Sequence, residues 1–134
     1  MSLGSWDPTA ESASRNIEIE NTTLDRFINY SRADQLTQLD QLITGDENQA
    51  LSGLMQIEHS AWLAAAQDLS EDELLHLIRF FAVAENLPGW EAGANSPVIP
   101  LAKSLRKRGV RLDKALLHWL RDVNDNRFLP YGPL

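Results

Sequence analysis

Apolar residues recur along this chain at about 100° per residue, the period of an α-helix, in runs separated by glycine, proline and short polar stretches. Leu24, Phe27, Ile28, Leu39 and Leu42 fall on one side of a wheel that starts at Thr22 or Thr23, where either hydroxyl suits an N-cap. This first helix is predicted to reach Thr44, with Ser31 as its weakest point. Gly45 then stops it, and Asp46 caps a second helix over 47–68 whose inner face is Leu51, Leu54, Met55, Ile57, Ala61, Trp62 and Ala65.

The third helix opens on the clearest local signal in the chain. Ser70 followed by Glu73 forms a capping box, and Glu71 and Asp72 suit the positive end of the helix dipole. Leu74, Leu75, Leu77, Ile78, Phe80, Phe81 and Val83 carry it to about Asn86, leaving a polar stripe of only Asp72, Arg79 and Asn86. So narrow a stripe predicts a helix surrounded by others. Pro88 and Gly89 end it, and 87–96 reads as a loop with Trp90 as its anchor.

Ser96 and Pro97 start a fourth helix, in which Pro100 is tolerated because it lies in the first turn. Gly109 closes it. A fifth covers 112–123, with Leu112, Ala115, Leu116, Trp119, Leu120 and Val123 inward, and Pro130, Gly132 and Pro133 make the end of the chain irregular. No strand alternation and no internal repeat appear. The expected fold is all-α: an irregular bundle of about five helices over 22–134, with a polar, mobile N-terminal tail at 1–21 and an extended C-terminal tail.

Composition changes this picture in three places. An apolar fraction of 43% over 134 residues supports one domain with its own core. The absence of cysteine excludes disulfides, thiolate metal sites and cysteine nucleophiles, and fits a reducing cytoplasm. No run approaches the roughly 18 apolar residues of a membrane span, and the charged start of the chain does not resemble a secretory signal. A cytoplasmic protein is expected.

The net charge of −7 hides a division. Residues 1–100 carry 16 carboxylates against four arginines, a balance of −12, whereas residues 101–134 carry eight cations against three carboxylates, a balance of +5. Lys103, Arg106 and Lys107 fall on the outer side of the fourth helix. Lys114, His118 and Arg121 form a stripe at i, i+4 and i+7 on the fifth. The basic helical hairpin 98–123 is therefore the leading candidate binding surface. Paired helices of this kind suit phosphate contacts in a helix-turn-helix. Leu112 and Asp113, however, are not the donors that read base edges, and two solvated amphipathic helices would look the same.

Candidate chemistry is thin. Glu58 sits near the centre of the apolar arc of the second helix and Glu85 on the apolar side of the third, so each is expected to be paired or hydrogen-bonded, or to line a pocket. Glu73 and His76 have the Glu-x-x-His spacing of di-metal bundles, but it occurs once and Glu73 also serves the capping box. With Glu58, Glu85 and His76 as the only possible buried polar site, neither a metal nor a cofactor is expected. No nucleophile elbow, phosphate loop or His-Glu-x-x-His occurs, which argues against an enzyme.

The leading expectation is a non-enzymatic protein-interaction or regulatory protein that binds a protein partner or a second copy of itself as a homodimer. The alternative is nucleic-acid binding through the hairpin 98–123. A weaker one is small-molecule or metal binding centred on Glu58. No membrane association is expected.

Overall fold

A computed structural model describes residues 17–133. Among these residues the chain is all helical, with seven α-helices and no strand: α1 Asn21–Arg32, α2 Leu39–Leu42, α3 Gly45–Ser52, α4 His59–Ala66, α5 Glu71–Ala84, α6 Val98–Lys107 and α7 Lys114–Val123. The class agrees with the sequence expectation and the number exceeds the five predicted. Two of the predicted helices are broken, each for a local reason.

The first break follows Arg32, beside the weak point expected at Ser31. Asp34 adopts the left-handed region at φ 58°, and Asp34 N–H and Gln35 N–H return to the carbonyls of Ser31 and Tyr30 at 3.1 and 2.9 Å. That is a Schellman stop, which glycine or asparagine normally signals; here an aspartate supplies it. The second break lies at Gly53, where a 3-10 turn, Gly53–Gln56, replaces the α-helix. A Cβ on Gly53 would stand 3.1 Å from the Ile17 side chain, a tight contact that a larger residue would relieve only by shifting Ile17 a few tenths of an ångström. The turn still sends Leu54 and Met55 inward, and Trp62 and Ala66 of α4 follow them into the core. A continuous wheel could not distinguish this path from a helix.

The expected tail, 1–21, falls largely outside the described residues. Within them, Ile17 and Ile19 pack against the core, so the folded body already includes residues assigned to the tail.

Helix α5 is the centre of the molecule. Its capping box is present as predicted, with Ser70 Oγ accepting from Glu73 N–H at 3.1 Å and Glu73 Oε1 accepting from Ser70 N–H at 2.8 Å. Leu74, Leu77, Ile78, Phe80, Phe81, Ala82 and Ala84 are buried along it. Helices α1, α6 and α7 all pack on α5, and α4 packs on α6. Phe27 of α1 stacks on Phe80 with ring centroids 3.9 Å apart, and Trp62 of α4 meets Phe81 edge-on at 5.2 Å. Trp90 anchors the loop after α5: its ring is fully buried against Phe27 and Phe80, and its indole N–H donates to Asn48 Oδ1 at 2.8 Å.

Candidate functional site

Two places merit construction from their residues: the basic surface on α6 and α7, and the buried carboxylate at the end of α5. Helix α6 begins where Pro97 and Pro100 fit, because first-turn residues have no intrahelical acceptor for an N–H. It ends in a Schellman motif. Gly109 at φ 81° sends its N–H to Arg106 O at 3.0 Å, and Val110 N–H reaches Leu105 O at 2.9 Å. Asp113 then caps α7, its Oδ1 accepting from Leu116 N–H at 2.8 Å.

The stop at Gly109 is as the sequence implies; the fifth helix starts at Lys114, two residues later than expected, because Asp113 serves as its cap, and the hairpin differs as well. Helices α6 and α7 both rest on α5 rather than on each other, and residues 108–113 form a connection longer than a helix-turn-helix turn. The predicted packed pair 98–123 is corrected accordingly. The physical reason is that both apolar faces, Leu101, Ala102 and Leu105 on α6 and Leu116 and Leu120 on α7, are buried in the shared core.

Between the two helices a depression of about 630 Å³ remains, lined by Arg106, Gly109, Arg111, Leu112, Leu117 and Tyr131. Next to it, on the far side of Arg106, Lys103, Arg106 and Lys107 join Leu63 of α4 around a second depression of about 380 Å³. Leu63 is the exposed large hydrophobic side chain among the described residues, at 38%. Arg106 thus belongs to both, and its guanidinium lies 4.4 Å above the Tyr131 ring. All six predicted basic-face residues, Lys103, Arg106, Lys107, Lys114, His118 and Arg121, are exposed. The structure gathers the first three around Leu63 and leaves the other three along α7, with Leu117 of the same helix in the depression.

Sequence reasoning missed Leu63, Arg111, Leu117 and Tyr131 as parts of this surface. A tyrosine in a proline-rich tail gives no register from which to dock it, and Leu117 lies outside the apolar face assigned to the fifth helix.

The three residues of the possible buried polar site are not brought together. Glu58 is exposed and occupies the N-cap position before α4, with φ −64° and ψ 151°. The burial expected for it is corrected, because the break at Gly53 removes the helical wheel on which it stood in the apolar arc. His76 joins α1 to α5: its Nδ1 lies 2.8 Å from Ser31 Oγ, and its Nε2 lies 3.5 Å from Asp72 Oδ1. Glu73 is occupied in the cap, and the described residues contain no group of three or more His, Cys, Asp or Glu side chains able to hold a metal.

Glu85 is buried, at 6% exposure. It stands at the C-cap of α5. Ser96 Oγ donates to its Oε2 at 2.5 Å, and Asn126 Nδ2 donates to its Oε1 at 3.0 Å. Burial pushes its pKa up, and the bonds from Ser96 and Asn126 partly oppose that shift. Asn126 also donates to Gly93 O at 2.8 Å and accepts from Phe128 N–H at 2.9 Å. A cleft of about 370 Å³ opens beside this network, with Glu91, Asp125, Arg127 and Phe128 on its walls. Glu85 therefore fastens the terminal segment to the end of α5 and the loop before α6. Both of its oxygens are engaged, which describes a joint better than a general acid. The Asn124-Asp125-Asn126 run was the sequence signal for a turn here, but nothing local tied it to Glu85.

No described helix is long and apolar enough to cross a membrane. Comparison with protein-family models, with curated proteins and with solved structures gives no match to this chain.

Proposed function

We propose that this protein works by binding another protein through the basic surface of α6, α7 and their connection, without catalysis. The observation that carries the reading is the difference in how cations are used. Arg26 and Arg32 are held by Glu47 and Asp72. Lys103, Arg106, Lys107, Arg111, Lys114 and Arg121 have no carboxylate of the described residues within salt-bridge distance; Lys103, Arg106 and Lys107 stand around the exposed Leu63, and Arg106 and Arg111 share a depression with the half-buried Leu117. Cations beside apolar surface suit a protein partner, since aliphatic contact supplies affinity and charge supplies selection and rate.

Nucleic-acid binding, the alternative reading, loses the packed hairpin that a helix-turn-helix needs. Small-molecule or metal binding at Glu58 loses its buried carboxylate.

The test is a triple reversal, Lys103→Glu, Lys107→Glu and Lys114→Glu, with sedimentation and a duplex-DNA titration at low and high salt. The melting temperature is expected to stay within the scatter for surface changes, while salt-sensitive association with protein, including self-association, is lost. Tight, salt-sensitive DNA binding by the monomer, abolished by the same reversal, would overturn the proposal.

A further inference from the structure

We infer that the depression between α6 and α7 receives an acidic amphipathic segment of a partner protein, its apolar side chains against Leu112 and Leu117 and its carboxylates on Arg106 and Arg111. This rests on the protein-binding reading above and specifies the occupant.

Size comes first. A depression of about 630 Å³ lies within the range of roughly 300–1,000 Å³ typical of ligand clefts, so it takes a few protruding side chains rather than a flat face. Its chemistry is divided: two leucines, Leu112 and Leu117, share the lining with two exposed arginines, Arg106 and Arg111, and Arg106 lies over the Tyr131 ring. Such a division selects a segment with carboxylates on one side and large apolar groups on the other, as an amphipathic helix offers at i, i+3 and i+4. Lys103 and Lys107 continue the positive rim past Arg106 to Leu63, which lets the same segment run on over α4.

Two other occupants fit less well. A second copy offers an acidic site at Glu18 and Glu20, next to Ile17 and Leu51, but that site is itself a groove of about 220 Å³. Two concave surfaces do not fill one another. Single-stranded nucleic acid gains most of its sequence-tolerant affinity from free aromatic faces. The aromatic ring at this depression, Tyr131, already has the Arg106 guanidinium over it.

The experiment uses the full chain and fluorescence anisotropy with three labelled probes. One is a synthetic peptide of about 15 residues, long enough for a marginal helix, with Leu and Phe on one face and Glu on the other. The second has the same composition scrambled so that the faces are mixed, and the third is a single-stranded oligonucleotide of equal charge. The segregated peptide is expected to bind at least about tenfold tighter than the scrambled one, a difference of ~1.4 kcal/mol. Arg106→Glu with Arg111→Glu should remove that binding. Leu117→Ser, which keeps every charge, should weaken it several-fold while the salt dependence stays the same; Arg106→Lys guards against misfolding and should lose less than the reversal.

Equal binding of the two peptides overturns the amphipathic occupant and leaves the basic surface as a protein-binding site. Failure of both peptides, with self-association that the charge reversal abolishes, overturns the occupant in favour of a second copy. Binding of the oligonucleotide alone overturns both this inference and the reading beneath it.

Discussion

On the flank formed by α1 and α3, charge is settled inside the molecule. Arg26 holds Glu47 through two contacts, at 2.8 and 2.5 Å, and donates to Tyr30 Oη at 2.7 Å; Arg32 reaches Asp72 at 2.7 Å. Along α6 and α7 the cations face outward, and the three arginines on this side with inward contacts, Arg79, Arg106 and Arg108, make them to π-faces or carbonyls. Arg79 of α5 lies 5.2 Å over Trp119, and Arg108 donates to Ala66 O and Leu69 O at 2.8 Å, closing the end of α4. The carboxylates differ in the same way. Arginine contact holds Glu47 and Asp72 below the usual carboxylate range, while burial pushes Glu85 above it. One flank uses opposite charges for internal cohesion; the other uses neutral donors to hold a single carboxylate and leaves its cations to the solvent side.

The largest expected effect comes from breaking the neutral network. Asn126→Ala removes a donor from the buried Glu85 and from the half-buried Gly93 O. A loss of about 2–4 kcal/mol in urea unfolding is expected, at about 1–3 kcal/mol for each unsatisfied group. A loss within surface scatter would mean that water replaces the amide there.

Arg108→Ala should come next, at about 1.5 kcal/mol, because it opens the last carbonyls of α4 to partial burial without a donor. Arg26→Met should cost less, about 0.2–1 kcal/mol and less at high salt, since Glu47 is mostly hydrated. Lys107→Met should change stability by no more than about 0.5 kcal/mol. If Lys107→Met proved as costly as Arg26→Met, the contrast between paired and free cations would fail.

Acid titration sharpens the comparison, because the two flanks carry opposite signs. A lowered carboxylate such as Glu47 contributes stability that is present above its unfolded value, about 4.3, and is lost as pH falls through its folded value. A raised carboxylate such as Glu85 does the reverse: its contribution is complete below the unfolded value and is lost as pH rises through the folded one. Glu85→Gln should therefore be near neutral at pH about 7, within ~1 kcal/mol, because the amide still accepts from Asn126 and meets Ser96. On acidification it should lose stability more steeply than the parent, and Glu47→Gln less steeply. Parallel curves for Glu85→Gln and the parent would show that Glu85 is not desolvated.

What the sequence by itself determined is whatever depends on contacts a few residues apart. The Ser70 and Glu73 box and the Gly109 stop involve partners three to five positions away, and each is where the sequence puts it. The helical period also identified most of the core of α5 and α6, because it reports which side of a helix is apolar. It could not report where a helix is interrupted without the usual residue. Asp34 supplies a left-handed stop in place of glycine, and from Gly53 the helix tightens into a 3-10 turn that ends in extended backbone at Ile57. That turn alone changed Glu58 from a buried carboxylate into an exposed cap. The partners of Glu85, 11 and 41 residues away, and the depression between α6 and α7 were decided only when both helices and the terminal segment settled on α5. Burial and electrostatic surroundings depend on what packs from elsewhere in the chain, and a single helix face does not encode it.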